Sequence, residues 1–225
     1  MIKKGDFKRN LPAKLFVFYL LFYYVLGSIV ISIFTDVNSN YIRLVFAVMT
    51  LVVVIFFSKE YFNNHFFKDS MEVLDKSIRL GIIAFGLVVL NIICSFLTDF
   101  VFKTELINNT AIMIAIQNDP FIVGIITILL LPFTEEIIFK YQLLNNAHFL
   151  KEKRIFKVIV LSVLFAGIHC VFELVTLNYR IVFSFIYYML FYTITAYYYG
   201  KYDNFMMSVI LHMLVNACAF IMSIA

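Results

Sequence analysis

Glu135 and Glu136 with Lys140 in PFTEEIIFK, Phe165 and His169 in FAGIH, and His212 and Asn216 in HMLVN are the residues here whose types suit hydrolytic chemistry. All three groups fall inside apolar stretches. A charged side chain at mid-bilayer costs roughly 2.5–3.5 kcal/mol on an insertion scale, so residues of this kind are usually retained for function. The spacing repeats: Glu136 to Lys140, Phe165 to His169 and His212 to Asn216 are each i, i+4 pairs. On a helix that spacing places both side chains of a pair on one face, a turn apart. Three helices would then aim polar groups at a shared interior.

Adjacent glutamates point about 100° apart on a helix, so Glu135 and Glu136 cannot share one role. Glu136 precedes Lys140 in the favourable acid-then-base order of a helical ion pair. Glu135 has no cationic partner within a turn, which makes it the candidate general base. Pro132, three residues earlier, removes a backbone donor and can kink the helix. The competing reading ends the helix near Pro132 and leaves the glutamates at the membrane interface. Taken alone, His169 reads as a core histidine bonded to a backbone carbonyl or to Glu173 one turn later. Taken alone, His212 and Asn216 read as hydrogen-bonding glue between helices. Three intramembrane pairs together favour chemistry over glue. The sequence has no HExxH, no GxSxG and no intramembrane Asp pair, which sets aside the standard zinc, serine and aspartyl arrangements.

The elements that must position these residues are membrane helices. Of 225 residues, 63% are hydrophobic and 14% charged, against about 25% charged in a soluble domain. The expected architecture is all-α: a polytopic transmembrane bundle of about seven or eight helices, forming one integral membrane domain over residues 1–225. Apolar stretches at 15–34, 44–57, 80–98, 120–144, 158–175, 181–200 and 204–225 are the expected spans. The first is too long for a signal-peptide core and has no cleavage motif after it, so it is expected to be retained. With the N-terminus cytoplasmic, 15 of the 18 basic residues fall on the inside, which sets the orientation of a multi-pass protein of the cell membrane. The net charge of +4 follows from this bias and implies no nucleic-acid partner. Residues 58–79 read as a polar inside loop with a possible interfacial helix. Residues 99–119 read as an outside connection with a re-entrant candidate at 111–116. Cys94, Cys170 and Cys218 are odd in number and lie within spans, so they read as buried thiols.

The ordered motifs Glu135-Glu136-Ile-Ile-Phe-Lys140, Phe165-Ala-Gly-Ile-His169 and His212-Met-Leu-Val-Asn216 resemble the CPBP family of intramembrane proteases. That family includes the type II CAAX prenyl endopeptidases and the bacterial Abi proteins. The resemblance covers residues 120–225 or so, and Lys140 stands where the family usually has arginine. It implies an endopeptidase acting on a membrane-embedded peptide or protein within the lipid bilayer. By analogy, Glu135 with His169 would activate a water, and His212 with Asn216 would stabilise the oxyanion. Glu136 with Lys140 would orient the helix, with Phe165 in a supporting place. No cofactor is expected; in a metal-dependent version Glu135, His169 and His212 would form the His₂Glu set of a zinc site. Two other classes remain open. One is a non-catalytic interaction protein of the bacteriocin self-immunity kind. The other is an ion-coupled transporter using Glu135, His169 and His212 as a relay.

Overall fold

The computed structural model describes residues 4–34, 38–64, 73, 76–102, 107–145, 154–171 and 181–224. Glu173 lies outside them, as do residues 65–72 and 74–75 of the loop at 58–79. Within that loop, Lys59–Asn64 is a short helix.

The described chain is helical, with no strand. Lys4–Tyr19, a π-helical stretch Leu20–Leu26 and Gly27–Ile33 run on as one helix, α1. Then come α2 (Ser39–Phe57), α3 (Ser77–Phe102), α4 (Ile107–Asn118), α5 (Pro120–Asn145), α6 (Arg154–His169), α7 (Val182–Tyr202) and α8 (Phe205–Ile224). The chain is a multi-pass membrane protein. Helices α1 (from Leu11), α2, α3, α5 and α8 are long and apolar enough to cross a bilayer. The other expected spans do not qualify in the same way. Helix α6 is described over only 16 residues, and the seven tyrosines of α7 hold down the hydropathy of its 21. Three of those, Tyr187, Tyr192 and Tyr199, are buried against protein. Helix α4, with 12 residues, is about 18 Å long and cannot cross a roughly 30 Å core. Asn40 of α2 ties it down by donating to the Ala115 carbonyl at 3.1 Å.

Local chemistry sets where the helices start. Asp119 accepts from the Ile122 N–H at 3.1 Å and Pro120 takes the first helical position, so α5 begins there. Asn38 caps α2 by accepting from the Asn40 N–H at 2.9 Å. Between α7 and α8 the chain reverses in two residues. Asp203 adopts a left-handed φ of 47°, and Asn204 caps α8 through the Met207 N–H at 3.2 Å. Aspartate and asparagine suit these positions because their short polar side chains bond the local backbone.

The polarity is inside out. Ile78, Phe85 and Phe100 are 83%, 70% and 72% exposed, as befits surfaces meeting acyl chains, whereas Glu135, Glu136, Lys140 and His212 are buried. The main core is built from α3, α5, α6, α7 and α8, with Tyr19 of α1 and Val54 of α2 entering it.

Candidate functional site

Helix α5 does not end at Pro132. It passes through π-helical segments at Ile125–Leu130 and Ile137–Asn145, on either side of the short α-helical stretch Leu131–Glu136 that holds both glutamates. Such π segments recur at functional sites because they shift side chains out of α register. Pro132 has no N–H to give. The carbonyl five residues before it, Thr127, is filled instead by the Asn216 amide at 2.8 Å. Helix α8 is thereby joined to α5 at the carbonyl that Pro132 leaves without its backbone donor, one turn beyond His212.

The glutamates diverge, as their 100° separation requires. Glu136 faces α8 and its own helix. Its Oε1 lies 3.0 Å from His212 Nδ1 and its Oε2 lies 3.6 Å from Lys140 Nζ. The Lys140 ammonium is fully buried, 3.5 Å from the centroid of the Tyr192 ring. A cation over an aromatic face in a desolvated setting gains on the order of 2 kcal/mol, which adds to the ion pair.

Glu135 faces α1, α6 and α8. Tyr19 donates its hydroxyl to Oε1 at 2.6 Å. Oε2 is 3.7 Å from His169 Nε2 and 3.9 Å from His212 Nε2. Each imidazole is held by its other nitrogen. His169 Nδ1 is 2.9 Å from the Phe165 carbonyl, which can only accept, so Nδ1 carries a proton. His212 Nδ1 donates to the Glu136 carboxylate in the same way. In the neutral rings Nε2 is therefore the unprotonated nitrogen of each, and both lie near Oε2 of Glu135. Aromatic walls fix the rings: Phe165 and Tyr188 lie 4.3 and 4.5 Å from His169, and Phe191 4.8 Å from His212. His169 is the more open of the pair, with 20% of its side chain exposed against 4% for His212.

The structure thus brings Glu135, Glu136, Lys140, Phe165, His169 and His212 into one cluster. Asn216 sits at its edge, engaged with Thr127. Sequence reasoning missed Tyr19, Tyr188, Phe191 and Tyr192. Among 14 tyrosines and 27 phenylalanines no spacing singles them out. A tyrosine buried within a span, away from the interfacial belt, was the available signal.

The spacings are a little wider than those of an ideal tetrahedral metal site. A tetrahedral ion with bonds of about 2.0–2.1 Å needs ligand atoms roughly 3.3–3.4 Å apart, closer than Glu135 lies to either histidine nitrogen. Among the described residues no group of three or more His, Cys, Asp or Glu is arranged to hold a metal ion.

Residues 117–218 match the family described as type II CAAX prenyl endopeptidase Rce1-like. This agrees with the resemblance carried by the three motifs, all of which lie in the matched segment. No curated protein and no solved structure matches the chain. The Rce1-like segment comprises α5 to most of α8 and holds every residue of the cluster except Tyr19, which comes from α1.

Proposed function

We propose that this protein is an intramembrane endopeptidase that hydrolyses a peptide bond of a membrane-associated peptide or protein, in the cell membrane with its N-terminus cytoplasmic. The observation that carries this reading is the convergence of Glu135 Oε2, His169 Nε2 and His212 Nε2 inside an apolar bundle. Glu135 Oε2 and His169 Nε2 can accept the two protons of a water, which keeps a lone pair to attack with, while His212, charged beside Glu136, is the donor of the set.

Glu135 takes a proton as the water oxygen bonds to the scissile carbonyl carbon, and the carbonyl pair becomes the oxyanion. Collapse of that intermediate breaks the C–N bond, and the proton passes to the leaving nitrogen with His169 as the neighbouring carrier. Glu136 stabilises a charged His212, whose Nε2–H can then donate to the oxyanion. The Asn216 amide has one N–H on Thr127 and a second available for the same task. Lys140 balances Glu136 and takes no part in the proton transfer.

The test uses purified full-length protein in lipid nanodiscs and an internally quenched peptide with an apolar membrane anchor. Cleavage that persists in a chelator supports the water-and-carboxylate route. Loss in chelator with recovery on adding zinc would overturn it and make Glu135, His169 and His212 ligands. In the same assay Asn216→Ala is expected to lower kcat roughly 10²–10³-fold, the usual loss for one oxyanion donor. Its bond to Thr127 is worth only about 0.6–1.7 kcal/mol of stability in a membrane setting. A shifted melting temperature with unchanged kcat would confine Asn216 to joining α8 to the Thr127 carbonyl of α5.

A further inference from the structure

Among the described residues outside the Rce1-like segment, one side chain is seen to hydrogen-bond the Glu135 carboxylate. Tyr19 of α1 is fully buried and donates to Glu135 Oε1 at 2.6 Å, across 116 residues of sequence. Short bonds from a hydroxyl to a carboxylate are about twice as strong as neutral ones, and they fix the rotation of the acceptor. With Oε1 held, the oxygen left facing both histidines is Oε2.

A second hydroxyl stands behind the first. Tyr24 OH lies 3.3 Å from Tyr19 OH. The Tyr19 hydroxyl proton is directed to Glu135 Oε1, so Tyr24 is the donor in that contact. In a straight α-helix residues five apart point well away from each other. They meet here because Leu20–Leu26 is π-helical, and its i→i+5 pattern stacks residue 24 over residue 19. The π segment of α1 therefore has a definite local product: a chain of two hydroxyls ending on Glu135. The rings pack together, with Tyr19 and Tyr23 stacked at 5.9 Å and Tyr19 and Tyr24 edge to face at 5.4 Å, so the phenols are held without the hydroxyls' help.

Resting on the protease reading above, we infer that Tyr19, backed by Tyr24, is a positioning residue that selects Oε2 of Glu135 as the basic oxygen, so that α1 completes a site the Rce1-like segment does not hold alone. A purely structural tyrosine would affect folding and not turnover.

Tyr19→Phe keeps the ring and removes the hydroxyl. In nanodiscs with the quenched anchored peptide, it is expected to lower kcat about 10- to 100-fold, the size of a hydrogen bond to a charged group, with KM within about two-fold. Tyr24→Phe should show a smaller loss of the same kind, since it acts through Tyr19. Glu135→Gln is run beside them. If Glu135→Gln is inactive and Tyr19→Phe turns over at the wild-type rate, the inference about Tyr19 fails and the protease reading stands. If Glu135→Gln is fully active, or the wild type cleaves nothing, the protease reading fails and takes this inference with it. A double-mutant cycle of Tyr19→Phe and Glu135→Ala on thermal unfolding checks the contact independently of turnover: non-additive shifts support the bond, and additive shifts contradict it.

Discussion

Glu135→Gln is expected to abolish peptide hydrolysis while leaving normal amounts of folded protein in the membrane. The amide has the same shape, and its carbonyl oxygen can still accept from Tyr19, so the packing between α1 and α5 survives. What disappears is the ability to take a proton from water. General-base catalysis is worth about 10²–10⁴-fold, and loss of the one carboxylate between two imidazoles should fall at the high end of that range. The check is the initial cleavage rate against membrane abundance for both proteins. Full activity in Glu135→Gln would remove the enzymatic reading altogether.

Lys140→Ala is expected to have the largest effect on folding. Glu136 and Lys140 are both completely buried, 3.6 Å apart, within a bundle whose outer surface faces lipid. Removing one partner of a buried pair leaves the other charge uncompensated, at a cost of about 3–5 kcal/mol. His212 and Ser208 would remain beside Glu136 without a permanent cation, and the cavity under the Tyr192 ring would add to the loss. Folded protein recovered from the membrane, and its melting temperature in detergent, should both drop. Lys140→Arg keeps the charge and can stack its planar guanidinium on Tyr192, so it should retain folded protein. Normal abundance of Lys140→Ala with complete loss of cleavage would contradict this and place Lys140 in the chemistry.

Much of this arrangement was legible in the sequence because membrane physics makes intramembrane charge conspicuous. Glu135, Glu136, Lys140, His169 and His212 stand out by type in apolar runs, and the i, i+4 rule alone pairs Glu136 with Lys140. Partners across helices were not legible. The second contact of Glu136, to His212, spans 76 residues, and that of Glu135 to Tyr19 spans 116. Nor does periodicity reveal π-helical segments, yet those at 20–26 and 125–130 bring Tyr24 to Tyr19 and leave the Thr127 carbonyl for Asn216. The span at 181–200 reads from sequence only as an apolar stretch whose tyrosines at 197–199 fit an interfacial belt. Its burial against α6, α3 and α8 is decided by packing that the tyrosine pattern does not announce.

The central claim is that Glu135, His169 and His212 act on one water held among them. The most direct measurement is mass analysis of the products formed when purified protein is incubated with the anchored peptide in ¹⁸O-labelled water. The account predicts a single internal cut, with the label in the new carboxylate, in the wild type and no cut in Glu135→Gln or His169→Ala. The same labelled product from Glu135→Gln at the wild-type rate would contradict it.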